Sequence, residues 1–170
     1  IFGENTGEIE YAELTNNGIV SGTYNADKVA GTGGIFGVNR GDITYSSLKN
    51  NIGGQVIGTQ NVGGLIGINT GKIAGGRDAA DSYYKYQIYN NGTITAKGNG
   101  SNIGGLIGDN QGSLSAGYNT GAINAAGSKN VGGNSNRVAA ILYGPKSVIL
   151  VCGYNKIVKN IDEVIDRVKR

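Results

Sequence analysis

Four stretches, IFGENTGEI (Ile1–Ile9), IFGVNRGDI (Ile35–Ile43), LIGINTGKI (Leu65–Ile73) and LIGDNQGSL (Leu106–Leu114), are copies of one phrase, and they decide the fold. Each holds two apolar residues, then Gly, then Asn two places on, then Gly two further, then Ile or Leu. The starts lie 34, 30 and 41 residues apart, which is a repeat period. The apolar pair reads as a short strand. Asn and Gly accept positive φ and close a tight turn, and the next apolar residue (Ile9, Ile43, Ile73 or Leu114) opens a second strand. One unit cannot bury its apolar side alone, whereas stacked units can. In such a stack Asn5, Asn39, Asn69 and Asn110 form a ladder, each amide bonded to the next. A ligand site at these Asn is the competing reading. The variable positions between them (Glu4, Val38, Ile68 and Asp109; Thr6, Arg40, Thr70 and Gln111) are expected to face solvent.

Outward from each copy lies a second phrase: LTNNGIVSG (Leu14–Gly22), LKNNIGGQVIG (Leu48–Gly58), YNNGTITAKG (Tyr89–Gly98) and YNTGAINAAG (Tyr118–Gly127). Each unit closes on Gly-Gly, preceded in the later ones by Asn61-Val62, Asn102-Ile103 and Asn130-Val131. About three short strands and three turns per unit make one coil of a parallel β-helix, with inward side chains filling a narrow core. The expectation is an all-β fold: a parallel β-helix (β-solenoid) of about four to five coils over residues 1–133, then a short strand–helix segment over residues 134–170.

Composition agrees with many short strands. Gly is 32 of 170 residues and Pro is 1, whereas disordered low-complexity chains are usually rich in both. The net charge of +3 is uneven: residues 1–135 hold 8 Lys/Arg and 9 Asp/Glu (−1), residues 136–170 hold 7 and 3 (+4). A near-neutral array carries no electrostatic footprint for nucleic acid. The absence of His removes His-based triads, zinc sites and general bases. Cys152 is alone, so no internal disulfide or Cys cluster is available, and it reads as a small core residue. The pairs Gly31-x-Gly33 and Gly98-x-Gly100 precede no helix that could hold a phosphate, and no calcium loop is present. No cofactor or metal is expected. The longest apolar stretch, Val138–Cys152, is broken by Pro145 and Lys146 and cannot span a bilayer. The chain opens inside a repeat phrase and reads as part of a longer protein.

The phrase GGLIGDNQGSLSAGYNTGAINAAG (Gly104–Gly127) resembles the GLUG repeat of bacterial surface proteins, adhesins among them, over about residues 1–133. The resemblance implies a stacked β-solenoid on or outside the cell, with no catalytic residues. The third unit departs from it by an insertion, GGRDAADSYYKYQ (Gly75–Gln87), which with Tyr89 gathers Tyr83, Tyr84, Tyr86 and Tyr89. Insertions in solenoids fall on loops, often on the binding face. Tyr offers large contact area at small entropic cost. These four are the candidate ligand contacts, for a glycan or for a host or cell-surface protein. The alternative is a loop whose rings cover the solenoid's own flank.

After Gly133 the grammar changes: Gly falls from 30 in the first 135 residues to 2 in the last 35. SVILVC (Ser147–Cys152) reads as a strand buried on both faces. Asn160 and Glu163 make an Asn-started capping box. Ile161, Val164, Ile165 and Val168 give an amphipathic helix ending at Lys169 and Arg170. The segment resembles part of the lactate-utilisation (LUD) domain at Asn136, Arg137, Gly144, Pro145, Lys146, Gly153, Asn155, Lys156 and Ile157. That resemblance implies a cytoplasmic α/β domain linked to bacterial L-lactate oxidation. Either the tail caps the open end of the stack, or two reading frames have been joined in error. The favoured expectation is a non-catalytic, structural or adhesive repeat region on the cell surface or outside the cell. The alternative is a cytoplasmic lactate-utilisation fragment.

Overall fold

A computed structural model describes residues 1–23, 30–77 and 84–133, together with the strands Ile141–Tyr143 and Ser147–Ile149. Among these residues every regular element is a β-strand. The helix expected near the C-terminus and the site of Cys152 lie outside the described residues.

The repeat phrase builds the first sheet. Phe2–Asn5, Phe36–Asn39, Ile66–Asn69 and Ile107–Asn110 run side by side and parallel. Equivalent residues of the phrase are direct partners: Phe36 beside Phe2 and Ile66, Asn69 beside Asn39 and Asn110. The residue before each strand joins the same register, with Ile35 N–H donating to Leu65 O (2.8 Å) and Leu65 N–H to Leu106 O (2.9 Å). Ile35, Leu65 and Leu106 are all but fully buried.

Each later phrase repeats this stacking. Ile9–Glu10, Ile43–Thr44, Lys72–Ala74 and Ser113–Ser115 form a second parallel sheet. Glu13–Asn16, Ser47–Asn50, Ile88–Asn90 and Gly117–Asn119 form a third. The fourth joins Ile19–Ser21, Gln55–Gly63, Thr93–Gly104 and Ile123–Asn124, with Thr32–Gly33 and Lys129–Gly132 as further partners. Each unit therefore holds more strands than the roughly three expected. The stretch around Leu14 and Leu48 forms a strand of its own, where the sequence showed only a turn-rich phrase.

Asn sets the corners as expected. Asn5 Nδ2 donates to Asn39 Oδ1, Asn39 to Asn69 and Asn69 to Asn110, each at 2.8 Å. The second N–H of each amide goes to the carbonyl of the Gly two residues on, at Gly7, Gly41 and Gly71. One side chain thus closes its own turn and ties its unit to the next, which satisfies a buried amide. A second ladder, Asn16 to Asn50 to Asn90 to Asn119, repeats the device at 2.8, 2.6 and 2.7 Å. A third runs the opposite way, from Asn130 to Asn102 (3.1 Å) and Asn102 to Asn61 (2.8 Å). Its members hold φ of 51° to 58°, the left-handed region Asn tolerates best.

Among the described residues two apolar cores result. The larger holds Ile35, Phe36, Ile43, Leu48, Leu65, Ile66, Ile73, Ile88, Leu106, Ile107 and Leu114, with Ile9 and Leu14 packed against it. The smaller holds Val56, Val62, Ile94 and Ile103. Between them backbone lies directly on backbone. A methyl on Gly67 would sit 2.5 Å from Gly31 C and Thr32 N, and one on Gly108 2.5 Å from Asn61 C. This corrects one expectation: Val38, Ile68 and Asp109 do not face solvent but are buried. Their strands are covered on the glycine side by the closing Gly-Gly segments and lie against the core on the other. Glu4, in the first unit, is exposed.

Candidate binding surface

Among the described residues, five tyrosines make ring contacts in two stacks. At the corner between the second and third sheets, two residues past the apolar anchors Ile9 and Ile43, stand Tyr11 and Tyr45. Their rings stack at 5.4 Å and 10°, with relative exposures of 72% and 45%. Both residues hold positive φ (54° and 47°), as does Ala116 (56°) at the same place in the fourth unit. The third unit has Gly75 there, and its insertion starts at that point. Gly76–Arg77 pairs antiparallel with Tyr84–Tyr86, and the return delivers the Tyr86 ring edge-on to Tyr45, 5.9 Å between centroids. Lys85 Nζ lies 5.7 Å from the Tyr86 ring centre.

The second stack lies on the outer face of the third sheet. Ile88 and Asn90 are buried, so strand alternation turns Tyr89 outward. Tyr89 stacks on its register partner Tyr118 at 5.5 Å, and its hydroxyl donates to Asn51 Oδ1 at 2.8 Å. Asn51 in turn donates to Asn17 Oδ1 (2.7 Å), and Thr120 Oγ1 to Asn91 Oδ1 (2.6 Å). Lys49, beside Tyr89 in register, forms an ion pair with Glu13 at 2.5 Å. The band therefore joins aromatic rings, hydroxyls and amides, with its central cation already neutralised.

Of the four candidate contacts, Tyr86 and Tyr89 fall in different stacks. Tyr84 lies on the inserted strand, and Tyr83 is outside the described residues. Sequence reasoning missed Tyr11, Tyr45 and Tyr118. Tyr11 and Tyr45 are 34 residues apart, the spacing of the first two repeat phrases, so a signal was present in the period. Among the described residues no three His, Cys, Asp or Glu side chains gather as a metal site, and no helix is long and apolar enough to cross a membrane.

The molecule so described is an all-β repeat protein with parallel, in-register sheets. A family model described as LUD domain matches residues 122–170. This supports the resemblance of the C-terminal segment to that domain. The match begins within the fourth unit, ahead of the strand Ile123–Asn124. No curated protein and no solved structure matches the chain.

Proposed function

We infer that residues 1–133 form a β-solenoid of the GLUG-repeat kind, with residues 134–170 as a separate LUD-like segment. The solenoid acts without catalysis, as a structural or adhesive region of a bacterial cell-surface or secreted protein. The observation behind this reading is the register. Four successive units align residue on residue in four sheets, and a stack of that kind presents a long face rather than an enclosed site. On that face stand the tyrosines, suited to contact with a glycan or with a host or cell-surface protein. The test is brief trypsin treatment of intact cells followed by mass spectrometry of the released peptides. Release of peptides from residues 50–129 is expected; their recovery only after lysis would place the protein inside and end the reading.

The second reading has the family match on its side and is the better supported by comparison: a lactate-utilisation protein whose LUD-like part lies in residues 122–170. Loss of L-lactate-dependent growth on deleting residues 134–170, with growth on glucose intact, would favour it. Unchanged growth on lactate would count against it.

A further inference from the structure

We propose that the tyrosine corner is the contact surface for a neutral, linear polysaccharide lying along the stacking axis. The proposal rests on the solenoid reading above. A bulky residue at positive φ is an outlier that the surrounding fold must hold in place, and such outliers gather at functional sites. Tyr11 and Tyr45 sit there at φ 54° and 47°. Ala116 closes the equivalent corner at 56° without a ring, so the aromatic group is not needed to make the turn. Where the fold alone chooses a residue for positive φ, at positions 61, 102 and 130, it has Asn. Tyr11 and Tyr45 are also exposed, at 72% and 45%, so core packing does not account for them.

The third unit supplies the strongest observation. Its corner residue is Gly75, yet the insertion carries Tyr86 back against Tyr45. Three successive units thus keep an aromatic ring at one corner by two unrelated sequence routes. A surface that repeats along one axis, at about the interstrand spacing of 4.8 Å, suits a ligand that itself repeats along one axis. Charge narrows the class. The corner carries charge of each sign, Lys85 beside Tyr86 and Glu10 next to Tyr11, and residues 1–135 hold 8 Lys/Arg against 9 Asp/Glu, so a polyanion finds no net attraction. The Tyr hydroxyls, with the exposed Thr44–Glu10 pair next to Tyr45 and Tyr11 in sequence, supply donors and acceptors for sugar hydroxyls.

The experiment is affinity electrophoresis of the full 170-residue chain through native gels containing laminarin, xylan, mannan or hydroxyethylcellulose, with heparin as the polyanion. Retardation by at least one neutral polymer is expected, with none by heparin. Tyr11→Asn combined with Tyr45→Asn should weaken it roughly tenfold without lowering the thermal midpoint, since Asn suits the corner better. No retardation by any neutral polymer overturns the proposal, as does undiminished binding by the double variant or binding by heparin alone. Far-ultraviolet circular dichroism of the same sample separates the two readings. A β spectrum without binding sinks only the polysaccharide proposal. A coil or helix spectrum sinks the solenoid as well.

Discussion

The buried Asn side chains tie successive units together in register. Asn69 is fully buried; it donates to Gly71 O and Asn110 Oδ1 and accepts from Asn39. Asn69→Asp keeps the shape and removes both donors, leaving a carboxylate against two acceptor oxygens. The cost is expected to be at least about 2 kcal/mol at pH 7, read as a lower urea midpoint. Burial raises the folded-state pKa of such a carboxyl above its unfolded value. The folded variant therefore binds its proton more tightly, and its deficit should shrink as pH falls into the acid range. Asn5→Asp, in the same ladder but in the half-buried first unit, is expected to cost clearly less. A second pair isolates the glycine layer. Gly67→Ala puts a methyl 2.5 Å from backbone atoms of Gly31 and Thr32, whereas Gly3, two units earlier in the same position, has nothing within 4 Å. Overpacking of this kind costs about 1–3 kcal/mol. Gly67→Ala should therefore lower the thermal midpoint and Gly3→Ala leave it nearly unchanged. Equal effects would mean that the tight backbone approach is not there.

At the scale of the element, much could be read directly. The spacing of Ile1, Ile35, Leu65 and Leu106 gave the parallel partners, because identical phrases bury identical side chains and can only align in register. What stayed hidden depends on neighbours distant in sequence. Val38 and Ile68 vary between units, and variability suggested solvent; they are buried on the strand face they share with the core residues Phe36 and Ile66, opposite the glycines. The strand at Ser47–Asn50 was masked by its own turn residues. The tyrosine band was legible only where local clustering announced it, at the insertion. Its other half, Tyr11 and Tyr45, is dispersed by one full period. Removal of one whole unit tests the alignment. Deleting residues 35–64 joins Gly34 to Leu65, restores a Gly-Gly-Leu junction and sets Asn5 opposite Asn69. On the solenoid reading proposed above, each unit contacts only its nearest neighbours. The shortened chain should therefore still unfold cooperatively, with a denaturant m-value reduced roughly in proportion to its length. A domain with one indivisible core would instead lose its fold.

Across the whole molecule, stability should follow position in the stack. The middle units have a neighbour on both sides: Phe36, Leu65 and Ile66 are 0%, 1% and 0% exposed. The first unit has its partner on one side only among the described residues, and Ile1, Phe2 and Ile19 are 62%, 41% and 66% exposed. Among the described residues its cross-unit ion pairs are Arg40–Glu4 and Lys49–Glu13; each involves an exposed carboxylate, and such pairs contribute at most about 1 kcal/mol each. They cannot make up for missing apolar burial at about 25 cal/mol per Å². In the 170-residue chain taken by itself, the first unit is thus expected to open locally without global unfolding. Native-state hydrogen exchange followed by mass spectrometry reads this directly. Amides at 36–39 and 66–69 should exchange only through global opening and respond to urea with the full m-value. Amides at 2–5 and 13–16 should exchange faster, with a small urea dependence. Uniform protection from residue 2 to residue 132 would mean that the units open as one body, and the nearest-neighbour account of the stack would have to be given up.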